Sequence, residues 1–236
     1  MQPTLLAHHW FFQPRGGERV LVELAGLWPD APILTAFAAD DVTGWPDSIA
    51  ALRSRVRPSR LQRLFRLAER MPAALPLLLP LLPWGMRASF DRELATAGHV
   101  VVSDAGLAKT LALETAASVS VYLHSPMRHI WHDAEQTLAR LPAIARPAAN
   151  RMLARLRWID RESAARVRHW AVNSRTTAER AAAAYGLPRE RFAFIHPPVA
   201  VPQEPAAAGP RCVSGCARLT ASGQRMPHCF LKSVHR

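Results

Sequence analysis

The chain has 236 residues, 49% of them apolar, which is enough for one large core or two small ones and excludes a chain disordered over most of its length. Its 30 basic residues against 18 acidic ones give a formal net charge of +12. That balance favours an anionic partner without choosing among a membrane surface, a nucleic acid and a phosphorylated ligand.

At the N-terminus no basic segment is followed by an apolar core and a small-residue cleavage site, so no secretory signal is expected and a cytoplasmic location is. The apolar run "TLLAHHWFF" suits a buried strand, and "GGERVLVELAGLW" follows with Val20, Leu21, Leu24 and Leu27 at helical spacing. "APILTAF" returns to a strand. Residues 53–70 carry Arg53, Arg55, Arg57, Arg60, Arg63, Arg66 and Arg70 beside a face of Leu61, Leu64, Phe65 and Ala68, which predicts a basic amphipathic helix. The next stretch, "MPAALPLLLPLLPW", is too short and too broken by Pro72, Pro76, Pro80 and Pro83 to span a membrane.

Beyond it the alternation resumes. "HVVVS" precedes the helical "AGLAKTLALE", and "SVSVYLH" precedes residues 126–170, where Pro142 and Pro147 divide a helical pattern into two or more helices. "HWAVNS" leads into "TTAERAAAAYG", and "RFAFIHPPV" ends the pattern. Continuous apolar strands joined by helices predict an α/β fold, a doubly wound parallel sheet with helices on both faces. The proline- and alanine-rich residues 200–210 have the composition of a linker. The last 26 residues, 211–236, hold all three cysteines, no acidic residue and no sustained period, so they are expected to lie outside the fold. The absence of cysteine from the body fits a reducing compartment.

In a doubly wound sheet ligands bind beyond the carboxyl ends of the strands. Four stretches lie there. In "QPRGGERV", Gly16 and Gly17 open the first helix, where they either form a connecting turn or let a ligand approach the free N–H groups. In "YLHSPMRHIWH", His124 stands at a strand end, able to hydrogen-bond a sugar hydroxyl, and Arg128 follows where it could meet a phosphate. Ser125 and Pro126 suit the start of a helix. His124, His129 and His132 lack the carboxylate or cysteine partners of a metal set, and no metal is expected. Ser103 with Asp104, and Asn173 with Ser174, each follow a strand and read equally well as helix caps or ligand contacts.

Taken in order, "HHWFFQPRGGERVLVELAGLWPDAPILTAF", "VVSDAGLAK", "VYLHSPMRHIWH", "RWIDRESAARVRHWAVNSRTTAERAAAAYG" and "HPPV" resemble the bacterial retaining glycosyltransferases of the group 1 or family 4 type, mannosyltransferase-like members above all. The resemblance covers roughly residues 5 to 199. It departs from the family at His9, where an aspartate usually precedes the tryptophan. It implies the N-terminal, Rossmann-like acceptor domain of a GT-B enzyme, residues 1–199. Such an enzyme transfers a hexosyl group with retention from a nucleotide diphosphate sugar to a polysaccharide or lipid-linked acceptor, without an essential metal.

Carried over by position, the resemblance places Gly16 and Gly17 near the donor phosphates and His124, the catalytic candidate, against the transferred sugar. Arg128 and Asn173, with Ser174 beside it, would line the cleft, and Pro197, Pro198 and Val199 would lead into the donor domain. The last acidic residue is Glu204, so the glutamate pair of a donor domain is not expected after it, and little or no activity is expected of the chain alone. A frameshifted or prematurely stopped gene would account for residues 211–236.

Two other readings have support in the residues. The arginine-rich face and the leucine–proline stretch suit docking to the anionic inner face of the plasma membrane, or are a solvated surface over a packed stripe. A non-catalytic module that binds an acceptor or a membrane is the alternative function. Nucleic-acid binding is not expected, because arginine is spread along the chain and no nucleic-acid-binding motif is present.

Overall fold

The computed structural model describes residues 3–69, 79–139 and 141–198. The apolar runs pair into a seven-stranded sheet, parallel throughout: β1 (Thr4–His8), β2 (Ile33–Thr35), β3 (Val56–Pro58), β4 (His99–Asp104), β5 (Ser118–Leu123), β6 (His169–Val172) and β7 (Phe192–Phe194). Their order is β3-β2-β1-β4-β5-β6-β7. The chain winds outward from β1 in one direction, returns, and winds outward from β4 in the other, which is the Rossmann-like doubly wound topology. The crevice between β1 and β4 is therefore the switch point.

Helices cover both faces: α1 (Gly16–Leu27), α2 (Asp47–Ala50), α3 (Gln62–Glu69), α4 (Leu82–Ser89), α5 (Asp91–Thr96), α6 (Ala134–Ala139), α7 (Arg146–Arg166) and α8 (Arg175–Tyr185). Successive strand residues point to opposite faces, so a doubly covered strand must be apolar at every position. Leu6 and Val101 pack with Leu21 and Ala25 of α1 on one side. Leu5, Ala7, Val100 and Val102 pack on the other with Met86 of α4, Leu153 of α7 and Ala181 of α8. At the end of α8, Gly186 adopts a φ of +68°, the left-handed turn that closes a helix without a Cβ penalty.

The arginine-rich run is not one helix. Ala51–Arg55 forms a 3-10 turn, Val56–Pro58 forms β3, and among the described residues of this stretch the α-helix covers Gln62–Glu69. Val56 is buried beside Ile33 and Leu52, and Pro58, which has no N–H to donate, is tolerated because β3 lies at the sheet edge. The guanidinium of Arg55 donates to the carbonyls of Ala25, Trp28 and Ala31, satisfying acceptors at the end of α1.

Two further expectations are corrected. "AGLAKTLALE" forms a 3-10 helix over Ala108–Leu113 rather than an α-helix. Ser125 and Pro126 do not open a helix either: the chain passes through a turn that buries Met127 and Ile130, and α6 begins only at Ala134. Residues 126–170 do hold separate helices, α6 and α7, as their prolines require. The α/β unit ends at Pro198. Val199, the linker at 200–210, the tail at 211–236 and residues 70–78 of the leucine–proline stretch lie outside the described residues. Among the described helices none is long and apolar enough to cross a membrane.

Gly85 is where α4 meets Leu61, since a Cβ there would lie 2.2 Å from Leu61 Cδ1 and 2.3 Å from its Cγ. Leu61 is buried and cannot swing away freely. Gly85→Ala is expected to lose about 1–3 kcal/mol through overpacking. Gly26→Ala, on the open face of α1 with nothing within 4 Å, is expected to gain up to about 1 kcal/mol from helix propensity. Urea unfolding of both variants checks the pair.

Candidate functional site

β1 and β4 end side by side at the switch point, and their ends, His8 and Ser103 with Asp104, are polar after the apolar middles Leu5–Ala7 and Val100–Val102. His8 closes β1 opposite Ser103 of β4 in the strand register. His9 follows, Asp104 ends β4, and His124 follows β5. Above them the chain turns into α1. A Cβ placed on Gly17 would lie 3.4 Å from His8 Cε1, 3.6 Å from His9 Cε1 and 3.7 Å from His124 Nε2. The first turn of α1 thus rests on three imidazoles, with Gly17 half-buried against them and Gly16 exposed.

Hydrogen bonds fix these rings. His8 Nδ1 donates to the Ser103 carbonyl at 3.1 Å, and Ser103 Oγ lies 2.9 Å from His124 Nε2. His9 Nδ1 lies 3.3 Å from both the Ser103 carbonyl and the Ala105 N–H, so it donates to the first or accepts from the second according to its tautomer. Glu18 accepts the Arg15 N–H and faces His8 Nε2 at 3.7 Å. Burial, reinforced by the neighbouring imidazoles, pushes His8 and His9 down to about 3 and His124 to about 4. Burial raises the Glu18 carboxyl. At neutral pH the rings are uncharged, so they can exchange hydrogen bonds with a hydroxyl but cannot grip an anion as fixed cations. The positive end of α1, with the N–H groups of its first turn, is the anion-attracting element here.

The other expected residues divide. Asn173 joins the cluster through the backbone: its Nδ2 donates to the His124 carbonyl at 3.0 Å, and its Oδ1 accepts from Thr177 Oγ1 at 2.7 Å. Ser174 caps α8, accepting the Thr177 N–H at 3.1 Å and donating to Thr177 Oγ1, so its hydroxyl is committed to the helix. Arg128 is exposed and lines a groove with Ser125, Trp131 and Arg180. Gly17, His124 and Asn173 are therefore brought together by contacts, and Arg128 lines the groove that Ser125 and Pro126, next to His124, also border.

Beneath the site lies a buried charge cluster that the strand-end pattern does not announce. Lys109 Nζ sits 3.1 Å from Asp104 Oδ2 and 2.6 Å from Asp160 Oδ1, and all three side chains are fully buried. Burial works to lower the Lys109 pKa, but the two carboxylates reverse this and hold it well above the ordinary lysine value. Burial also raises both aspartates. Lys109 and the Gly106 N–H outweigh it at Asp104, which stays low, and do not at Asp160, which is raised. Asp104 Oδ1 accepts the N–H groups of Gly106 and Ala108, and Asp160 Oδ2 accepts Trp131 Nε1–H at 2.8 Å. One available signal was composition, since Lys109 is the lone lysine among the described residues of an arginine-rich chain. A compact ammonium fits a closed site that a planar guanidinium does not.

The arginine-rich surface is largely engaged with the protein. Arg53 donates to the Ala39 carbonyl, Arg55 to the end of α1, Arg57 faces Glu93 and Arg66 pairs with Asp40. Arg60 and Arg63 remain exposed beside Leu64, and Leu81 and Trp84 are exposed around α4. Among the described residues no three His, Cys, Asp or Glu side chains are set to hold a metal ion.

The lowered imidazole pKa values carry a pH signature. Between pH 6.5 and about 3 the unfolded chain protonates His9 while the folded chain does not, so this residue's contribution is present above 6.5 and is lost as the pH falls. Glu18, raised by burial, acts in the opposite sense. His9→Gln is therefore expected to flatten the pH dependence of unfolding free energy by about 1.4 kcal/mol per pH unit within that window. Urea unfolding of both proteins at pH 7 and pH 5 measures the difference, and parallel slopes would show that His9 titrates freely. Comparison with protein-family models gave no match to the chain, and comparison with curated proteins gave none.

Proposed function

We propose that the α/β unit is the acceptor-side domain of a retaining, nucleotide-sugar-dependent glycosyltransferase of the GT-B kind, acting in bacterial polysaccharide or lipid-linked glycan synthesis. The observation that carries this is the meeting of α1 with His9 and His124 at the β1/β4 switch point. A transferred sugar presents hydroxyls, which neutral imidazoles can bind, and its leaving group is a diphosphate, which suits a helix N-terminus. In this arrangement His124 faces the sugar, Gly16 and Gly17 admit the phosphates, and Asn173 holds the His124 backbone in place. No metal is invoked. A facing domain supplies the remaining grip on the nucleotide, so this unit binds donor weakly and does not turn it over. The mannosyl preference comes from the resemblance alone.

An anionic membrane surface is kept as a second contact. It rests on Arg60 and Arg63 with exposed Leu64, Leu81 and Trp84 rather than on a continuous basic helix.

Amide-resolved NMR titration with GDP-mannose and UDP-glucose tests the assignment. Perturbations are expected at Gly16, Gly17 and His124, and His124→Ala is expected to weaken the bound nucleotide sugar by about tenfold. Binding of glycan or anionic vesicles with no response to either nucleotide sugar would instead identify a non-catalytic acceptor- or membrane-binding module.

A further inference from the structure

Past the end of β5, the groove that holds Arg128 has a chemistry unlike the histidine cluster. Arg128 comes from the turn after His124 and Arg180 from the exposed face of α8, and both side chains reach one cavity of about 260 Å³. Neither guanidinium has a hydrogen-bonding or ion-pair partner among the described residues. Among the described residues no carboxylate lines the cavity. His132 also borders it, with Asp133 lying 4.0 Å from its ring, so the two arginines are the groove's free cations.

The remaining wall is Trp131, and it is held in place from behind. Its Nε1–H is bonded to buried Asp160, which Lys109 anchors in turn. Arg157 and Arg161 of α7 lie over its ring at 5.6 Å and 5.0 Å from the centroid. A fixed indole needs no ordering when a ligand arrives, and the two cations above it add to the positive potential. Pro126 and the alanines of α8 complete an apolar lining.

We infer that this groove is a binding site for a phosphorylated monosaccharide, whose phosphate is gripped by Arg128 and Arg180 and whose ring lies against Trp131. Guanidinium groups match phosphate oxygens in pairs, and an aromatic face suits the C–H face of a sugar ring. The volume sets the size of the ligand. It falls below the roughly 300–1,000 Å³ of drug-sized sites and leaves room for one ring and one phosphate rather than a nucleotide sugar. The groove's assignment rests on the two arginines and the indole, none of which the transferase proposal uses.

Calorimetric titration of wild type, Arg128→Gln and Arg180→Gln with glucose 6-phosphate tests it, with glucose and inorganic phosphate as the two part-ligands. Glucose 6-phosphate is expected to bind more tightly than either part, and each substitution is expected to weaken it by about tenfold. Both arginines are exposed, so melting temperatures should be unchanged. No binding to wild type, equal binding of phosphate and glucose 6-phosphate, or affinity unchanged in both variants would overturn the inference. GDP-mannose binding at Gly17 and His124 is read separately, so either proposal can fail without the other.

Discussion

The structure around the strand ends depends on one buried ammonium, Lys109, held between the carboxylates of Asp104 and Asp160. Three charges without solvent are stable only as a set, because removing the cation leaves buried carboxylates that pair with no other cation among the described residues. The set also joins elements distant in sequence. Asp104 ends β4 and holds the backbone of Gly106 and Ala108, Lys109 sits in the 3-10 helix that follows, and Asp160 belongs to α7 and orients Trp131. The 3-10 geometry over Ala108–Leu113 brings the ammonium between β4 and α7, where a surface helix would carry it into water.

From that anchor the strand-end site follows. Gly106 is pressed so closely that a Cβ on it would lie 3.1 Å from His9 Cβ. The loop after β4 therefore sets the position of His9, and Ser103 sets those of His8 and His124 through one carbonyl and one hydroxyl. The outcome is a neutral, hydrogen-bonding surface under a helix N-terminus. The cations lie elsewhere: Arg128 and Arg180 line their own groove, and Arg55 is spent on the end of α1. A net charge of +12 thus says little about the chemistry at the switch point, because the charge nearest to it is internally compensated.

The sheet was legible because buried strands are short β-branched apolar runs, and the valines of "HVVVS" and "SVSVYL" announce themselves. β3 was not, since Val56–Pro58 is three residues of an arginine-rich run and its apolar content is one valine. There the helical spacing of Leu61, Leu64 and Phe65 extended a true helix backward over a strand. Part of the site was readable from position alone: Gly17 opens the helix after β1 and His124 follows β5, and they meet. The pairing of Arg128 with Arg180 in one groove was not readable, because it depends on a turn that buries Met127 and Ile130. The partnership of Lys109 with Asp160 spans 51 positions, and no local pattern encodes it.

Denaturant unfolding of Lys109→Met tests the account most directly, because methionine keeps the length of the side chain and removes its charge. If the ammonium anchors the strand ends, the variant should lose about 3–5 kcal/mol at neutral pH, the cost of leaving buried carboxylates unpaired. A loss below about 1 kcal/mol, the range of an ordinary surface ion pair, would contradict it.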